Sequence, residues 1–130
     1  MTRLFELFYN SYMLIRVDPS SETPLFEQVA ASVRLDAATG RLVPGDRLPS
    51  AREVASALDV NLHTVLRAYQ DLRDEGLVTM RRGRGAVLTE MAGQLTQIHR
   101  EVLDLVRRAR GLGLSAETLA SIVKESTDAQ

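Results

Sequence analysis

Three arginines within four positions, Arg81, Arg82 and Arg84, with only Gly83 among them, form the densest cationic cluster in the chain. A guanidinium presents a planar fork of donors that matches phosphate oxygens and the edge of guanine. Fifteen of the sixteen basic residues are Arg, yet the formal net charge is only −1. The distribution of charge, not its sum, therefore points to an anionic partner. A second set is His63, Arg67 and Gln70, residue types that donate to base edges and phosphates. Other chemistries lack the residues to run on. There is no Cys, and His63 and His99 are the only histidines. Thiolate nucleophiles, disulfides and an all-histidine zinc site are thus excluded. No side chains stand at nucleophile–base or metal-ligand spacing, so no enzyme, metal or cofactor is expected, and His99 reads as a surface or interface histidine.

These residues need elements to hold them. Ser50-Ala-Arg-Glu53 has the form of a capping box that opens a short helix, with Val54, Ala55 and Leu58 on its apolar face. Asp59 follows, a residue that tolerates the left-handed conformation a tight interhelical turn demands. Asn61 caps the next helix, which runs to about Glu75 and stops at Gly76. Two short helices joined by a three-residue turn predict a helix-turn-helix. On a wheel of about 100° per residue, Tyr69 and Leu72 fall within about 40° of Val65, and Ala68 within about 60°, so these four face the core. His63, Arg67 and Gln70 point the opposite way. Leu62 and Leu66 occupy one flank, where they meet thymine methyls or pack under the turn, and Thr64 occupies the other. Asp71, Asp74 and Glu75 gather at the far end, leaving only the N-terminal half fit to approach phosphates.

After Gly76, two strand-like runs, Leu77–Met80 and Ala86–Thr89, flank the arginine tip and predict a β-hairpin. Ahead of the helix-turn-helix, Thr23 reads as an N-cap and Pro24 as the first helical residue. Leu25, Val29, Val33 and Ala37 then recur every four residues in a helix ending near Gly40. The two-proline segment from Leu42 to Pro49 reads as a connector. Met13–Val17 alternates like a strand. Residues 1–12 hold four of the six aromatics and are expected to pack on a partner or a neighbouring helix.

The order of these elements resembles the GntR family of bacterial transcription regulators. The matching residues are Pro24–Val29, Gly40–Ala55, Val60–Val65, Ala68-Tyr69, Glu75–Val78 and Arg81–Gly85, about half the chain in the family's order and spacing. The short helical tail is most similar to the YtrA-type branch. The resemblance implies that Arg52, at the start of the second helix, contacts DNA. It likewise implies that Asn61, Leu62, His63 and Thr64 form the contacting start of the recognition helix, and that Arg82 and Gly83 form a wing tip entering the minor groove. Leu66 stands where the family usually has Arg, Leu62 where many relatives have Arg or Pro, and Asp59 where the turn residue is usually Gly.

The fold class expected is α+β: a winged helix-turn-helix over 13–89, an aromatic segment over 1–12, and a two-helix dimerisation tail over 90–130. In the tail, Leu95, Ile98, Val102, Leu105, Ala109 and Leu112 recur at spacings of three and four, the seam of a coiled coil or bundle. Gly111 and Gly113 end that helix, and Ser115 caps a last one carrying Leu119 and Ile122. The 41 residues after position 89 are too few for a separate pocketed core, so the seam reads as a homodimer interface. The expected partners are a double-stranded DNA operator with inverted half-sites and a second copy, with a small-molecule effector left open and no membrane. The expected address is cytoplasmic and the expected output repression; the resemblance further implies a target operon that includes a transporter. A winged helix used for protein docking is the alternative.

Overall fold

A computed structural model of the 130-residue chain describes residues 5–9 and 13–129. Two strands, β1 (Phe5–Tyr9) and β2 (Met13–Val17), precede the helices α1 (Leu25–Ala38), α2 (Ala51–Leu58) and α3 (Leu62–Asp74). The hairpin β3 (Val78–Arg81) and β4 (Gly85–Leu88) follows, then α4 (Met91–Gly111) and α5 (Ala116–Asp128). The chain divides into two compact units, Met1–Thr96 and Gln97–Gln130.

The first unit is an α+β winged helix-turn-helix. Its core takes Val29, Val33 and Ala37 from α1, Val54 and Leu58 from α2, and Val65, Ala68, Tyr69 and Leu72 from α3. Each helix thus buries the stripe that its periodicity predicts, which is where most of the stabilisation of short helices comes from. Ile15 and Val17 of β2 are fully buried in the same core, the inward half of a period-two pattern.

Three features depart from the expectations. The aromatic segment forms β1, which pairs antiparallel with β2 from Phe5 opposite Val17 to Tyr9 opposite Met13. It also approaches α2; residues 1–4 and 10–12 lie outside the described residues. The α1 helix begins one residue later than expected. Pro24 is its N-cap, with φ −54° and ψ 144° and no side-chain cap bond. The Gln28 side chain organises the entry instead: it accepts from Asp18 N at 2.6 Å and donates to the carbonyls of Asp18 and Thr23 at 3.0 and 2.8 Å. Finally, the connector before α2 is half strand. Gly45 N and Leu48 N donate to the Leu88 and Ala86 carbonyls, both at 2.9 Å, Leu88 N donates to Asp46 O at 2.8 Å, and Arg47 is bridged to Val87. This pairing covers one edge of the hairpin, whose donors and acceptors would otherwise be exposed.

The first turns of α4 belong to this unit. The Thr89 hydroxyl accepts from Met91 N at 3.3 Å, Thr96 Oγ1 donates to the Ala37 carbonyl at 2.8 Å, and Leu95 packs on the core. Leu95 is therefore spent on the winged helix, although its spacing had placed it in the tail seam.

In the second unit, the rest of α4 is followed after a short turn by α5. Ser115 caps α5 by accepting from Thr118 N at 3.1 Å. Ala109 is buried, while Ile98, Val102, Leu105, Leu112 and Ile122 are between 42% and 76% exposed. Leu119 is half-buried. An apolar groove of about 650 Å³ runs between the two helices, lined by Val102, Leu105, Val106, Ala109, Leu119 and Val123 among others.

Candidate nucleic-acid interface

The helix-turn-helix is set by three local interactions. Ser50 Oγ accepts from Glu53 N at 3.1 Å and opens α2. Asp59 adopts φ 53° and ψ 49°, the only left-handed non-glycine among the described residues, and turns the chain out of α2. Asn61 Oδ1 then accepts from His63 N at 2.8 Å and opens α3. The remaining first-turn amides of α3 carry the positive end of its dipole, which favours an anion.

The face predicted for α3 is realised. Val65, Ala68, Tyr69 and Leu72 are buried, and His63, Arg67 and Gln70 are exposed. Arg52 and Asn61 are exposed beside them, and Thr64 is half-buried. Leu62 is half-buried and packs against the core. Leu66 is 36% exposed and lines a groove of about 480 Å³ that separates α3 from the hairpin, together with Gln70, Arg73, Met80 and Arg84.

At the hairpin tip Arg84 N donates to the Arg81 carbonyl at 3.0 Å, closing a three-residue loop of Arg82, Gly83 and Arg84. Gly83 and Gly85 take φ of 79° and 73°, which admit the reversal without a Cβ penalty. Arg81, Arg82, Gly83 and Arg84 are all exposed, and none of these arginines enters the ion pairs found among the described residues.

Acidic charge at the far end of α3 is partly neutralised. Arg34 of α1 holds Glu75 through two bonds of 2.8 Å, Nε to Oε1 and Nη2 to Oε2. The bond to Glu75 raises the Arg34 pKa, and partial burial opposes it less strongly. Arg73 contacts Asp74 at 3.3 Å.

One relationship was not legible from spacing. Arg67 Cζ lies 3.7 Å over the centroid of the Phe26 ring, on the first turn of α1. The α3 helix therefore has two distinct flanks, with Leu66 and Gln70 towards the hairpin and Arg67 towards α1.

A model of the gntR family of bacterial regulatory proteins matches residues 25–88, the span from α1 to the end of β4. A transcriptional repressor of Bacillus subtilis, YtrA, is 36% identical over 118 residues, covering 86% of this chain and 91% of that protein. The chain belongs to the GntR family. It is a transcriptional regulator of the winged-helix, DNA-binding type. Among solved structures, YtrA from Sulfolobus acidocaldarius, a GntR-family transcription factor, is 37% identical with a TM-score of 0.55, over 76% of this chain and 97% of that one. The AraR DNA-binding domain, solved in complex with its operator ORX1, is 26% identical with a TM-score of 0.50, over 64% of this chain and 93% of that one. Among the described residues no helix is long and apolar enough to cross a membrane, and no cluster of potential metal ligands occurs.

Proposed function

We propose that this GntR regulator is a homodimeric repressor that binds an inverted-repeat operator, near its own gene or a transporter operon, in the cytoplasm. The observation that carries the proposal is that α3 exposes His63, Arg67 and Gln70 while the hairpin tip, across the groove that Gln70 and Arg84 both line, exposes Arg82 and Arg84. In this reading the first turns of α3 enter the major groove, Gln70 and His63 meet base edges, and Arg52, Asn61 and Thr64 anchor the flanking phosphates. The hairpin is the wing, with Arg82 and Gly83 in the adjacent minor groove. The AraR complex with its operator supports DNA as the partner, and the YtrA relative supports repression as the output.

The dimer is carried by the apolar groove and exposed seam of the helical tail, which a second copy covers. Two-fold symmetry of the protein then asks for two-fold symmetry of the operator. A dimer seated on a promoter excludes polymerase, and an effector that alters dimer geometry would relieve that block.

Binding to mixed genomic fragments at several salt concentrations tests the reading. Each phosphate contact lowers the logarithm of the affinity by about 0.9 per decade of salt. A steep slope with enrichment of an inverted repeat is expected. A flat slope with no enrichment would assign the winged helix to protein docking instead.

A further inference from the structure

We infer that Phe26 is a positioning residue for DNA recognition: its ring holds the Arg67 guanidinium in the orientation from which α3 presents it to the duplex. The inference rests on the DNA-binding reading above. It starts from the 3.7 Å stack of Arg67 Cζ over the Phe26 ring, well inside the range of a cation–π contact. Phe26 is half-buried and packed against the core, whereas Arg67 is exposed. The ring is thus the fixed partner, and the arginine is the long, rotamer-rich side chain that it restrains.

The way Arg67 is held decides what it can still do. All five guanidinium N–H donors lie in the plane of the group. Stacking occupies the flat surface and leaves those donors unspent at the edges. A carboxylate would hold the side chain equally well but would consume the donors and cancel the charge. That is what happens to Arg34, whose Nε and Nη2 are both committed to Glu75. Among the described residues, the ion pairs are Arg34–Glu75, Arg73–Asp74 and Arg107–Asp104, and no carboxylate takes Arg67. An arginine that is ordered in advance yet keeps its donors free loses less side-chain entropy on binding. The α1 helix therefore supplies more than core packing: its first turn sets one flank of the recognition surface, and the wing sets the other.

The test uses the full chain and a duplex that the wild-type protein enriches from mixed genomic fragments. Affinity is measured for Phe26→Leu, Phe26→Tyr, Arg67→Ala and the double variant Phe26→Leu with Arg67→Ala, with circular dichroism confirming that each is folded. Phe26→Leu is expected to weaken binding about three- to tenfold, and Phe26→Tyr, which keeps the ring, to stay within about twofold of wild type. In the Arg67→Ala background, Phe26→Leu should cost less than about twofold, because the residue it served is gone. Losses that simply multiply in the double variant would reduce Phe26 to core packing and overturn the inference. In the free protein, the Arg67 Nε–H resonance should be shifted upfield by the ring and return in Phe26→Leu; an unshifted resonance also sinks the stack. If wild type enriches no duplex, it is the DNA-binding reading that fails, whatever the resonance shows.

Discussion

Tyr69, one residue beyond the centre of α3, donates its hydroxyl to the carbonyl of Pro49 at 2.7 Å, inside the core. Pro49 immediately precedes the N-cap of α2. The bond therefore ties the recognition helix to the entry of the helix that supports it, twenty residues earlier. A buried carbonyl left without its donor costs about 1–3 kcal/mol. Tyr69→Phe is expected to lower stability by an amount in that range while leaving the helices assembled, as read by urea unfolding. An unchanged midpoint would show that the Pro49 carbonyl finds another donor.

The turn between α2 and α3 holds Asp59 in the left-handed region at φ 53°. That conformation costs an L-residue about 1–2 kcal/mol, and glycine avoids the cost while losing more backbone entropy on folding. Asp59→Gly should therefore stabilise the protein by about 0.5–1 kcal/mol. Asp59→Val should do the opposite, since a β-branched side chain is a genuine outlier there. A denaturation series of the two variants that ranked them in the reverse order would contradict this account.

At the wing, Arg82 is exposed at the loop apex and belongs to no ion pair among the described residues. Arg82→Ala is expected to weaken all duplexes alike and to make the salt dependence shallower by about 0.9 in the log–log slope, the signature of one lost phosphate contact. Identical slopes for variant and wild type would place the wing off the duplex.

Within the tail, Leu105 is 42% exposed and borders the apolar groove between α4 and α5. If a second copy covers this groove, Leu105→Asp buries an unpaired carboxylate in the interface, a desolvation cost that opposes association. Sedimentation should show monomers, and affinity for a full inverted repeat should collapse towards that for a half-site. A variant that sediments as wild type does would move the interface elsewhere.

Much of this protein is written locally. The caps of α2, α3 and α5, the left-handed Asp59 and the glycines of the wing depend on residues two or three positions apart, so the chain states them wherever it is read. Helical periodicity likewise determined which side of α3 is buried, and hence that His63, Arg67 and Gln70 face outward. The family resemblance lay in stretches just as short, from Pro24 to Gly85, and the matched span of 25–88 covers all of them but Pro24.

What tertiary structure alone decided are the relationships between segments far apart in the chain. Periodicity says that a residue leaves the core, but not which neighbour waits on that flank. So Arg67 meets Phe26 forty-one positions earlier, and Arg34 meets Glu75 across an equal distance. Gly45 to Leu48 become a partner for the wing because β4 offers them an open edge, not because two prolines suggest a strand. Leu95 left the tail seam for the same kind of reason. The Thr96 bond to Ala37 brings the first turns of α4 onto the core, and the apolar surface they carry is buried there first. A pattern of apolar spacing fixes a face, and only the packing of the other elements decides what that face touches.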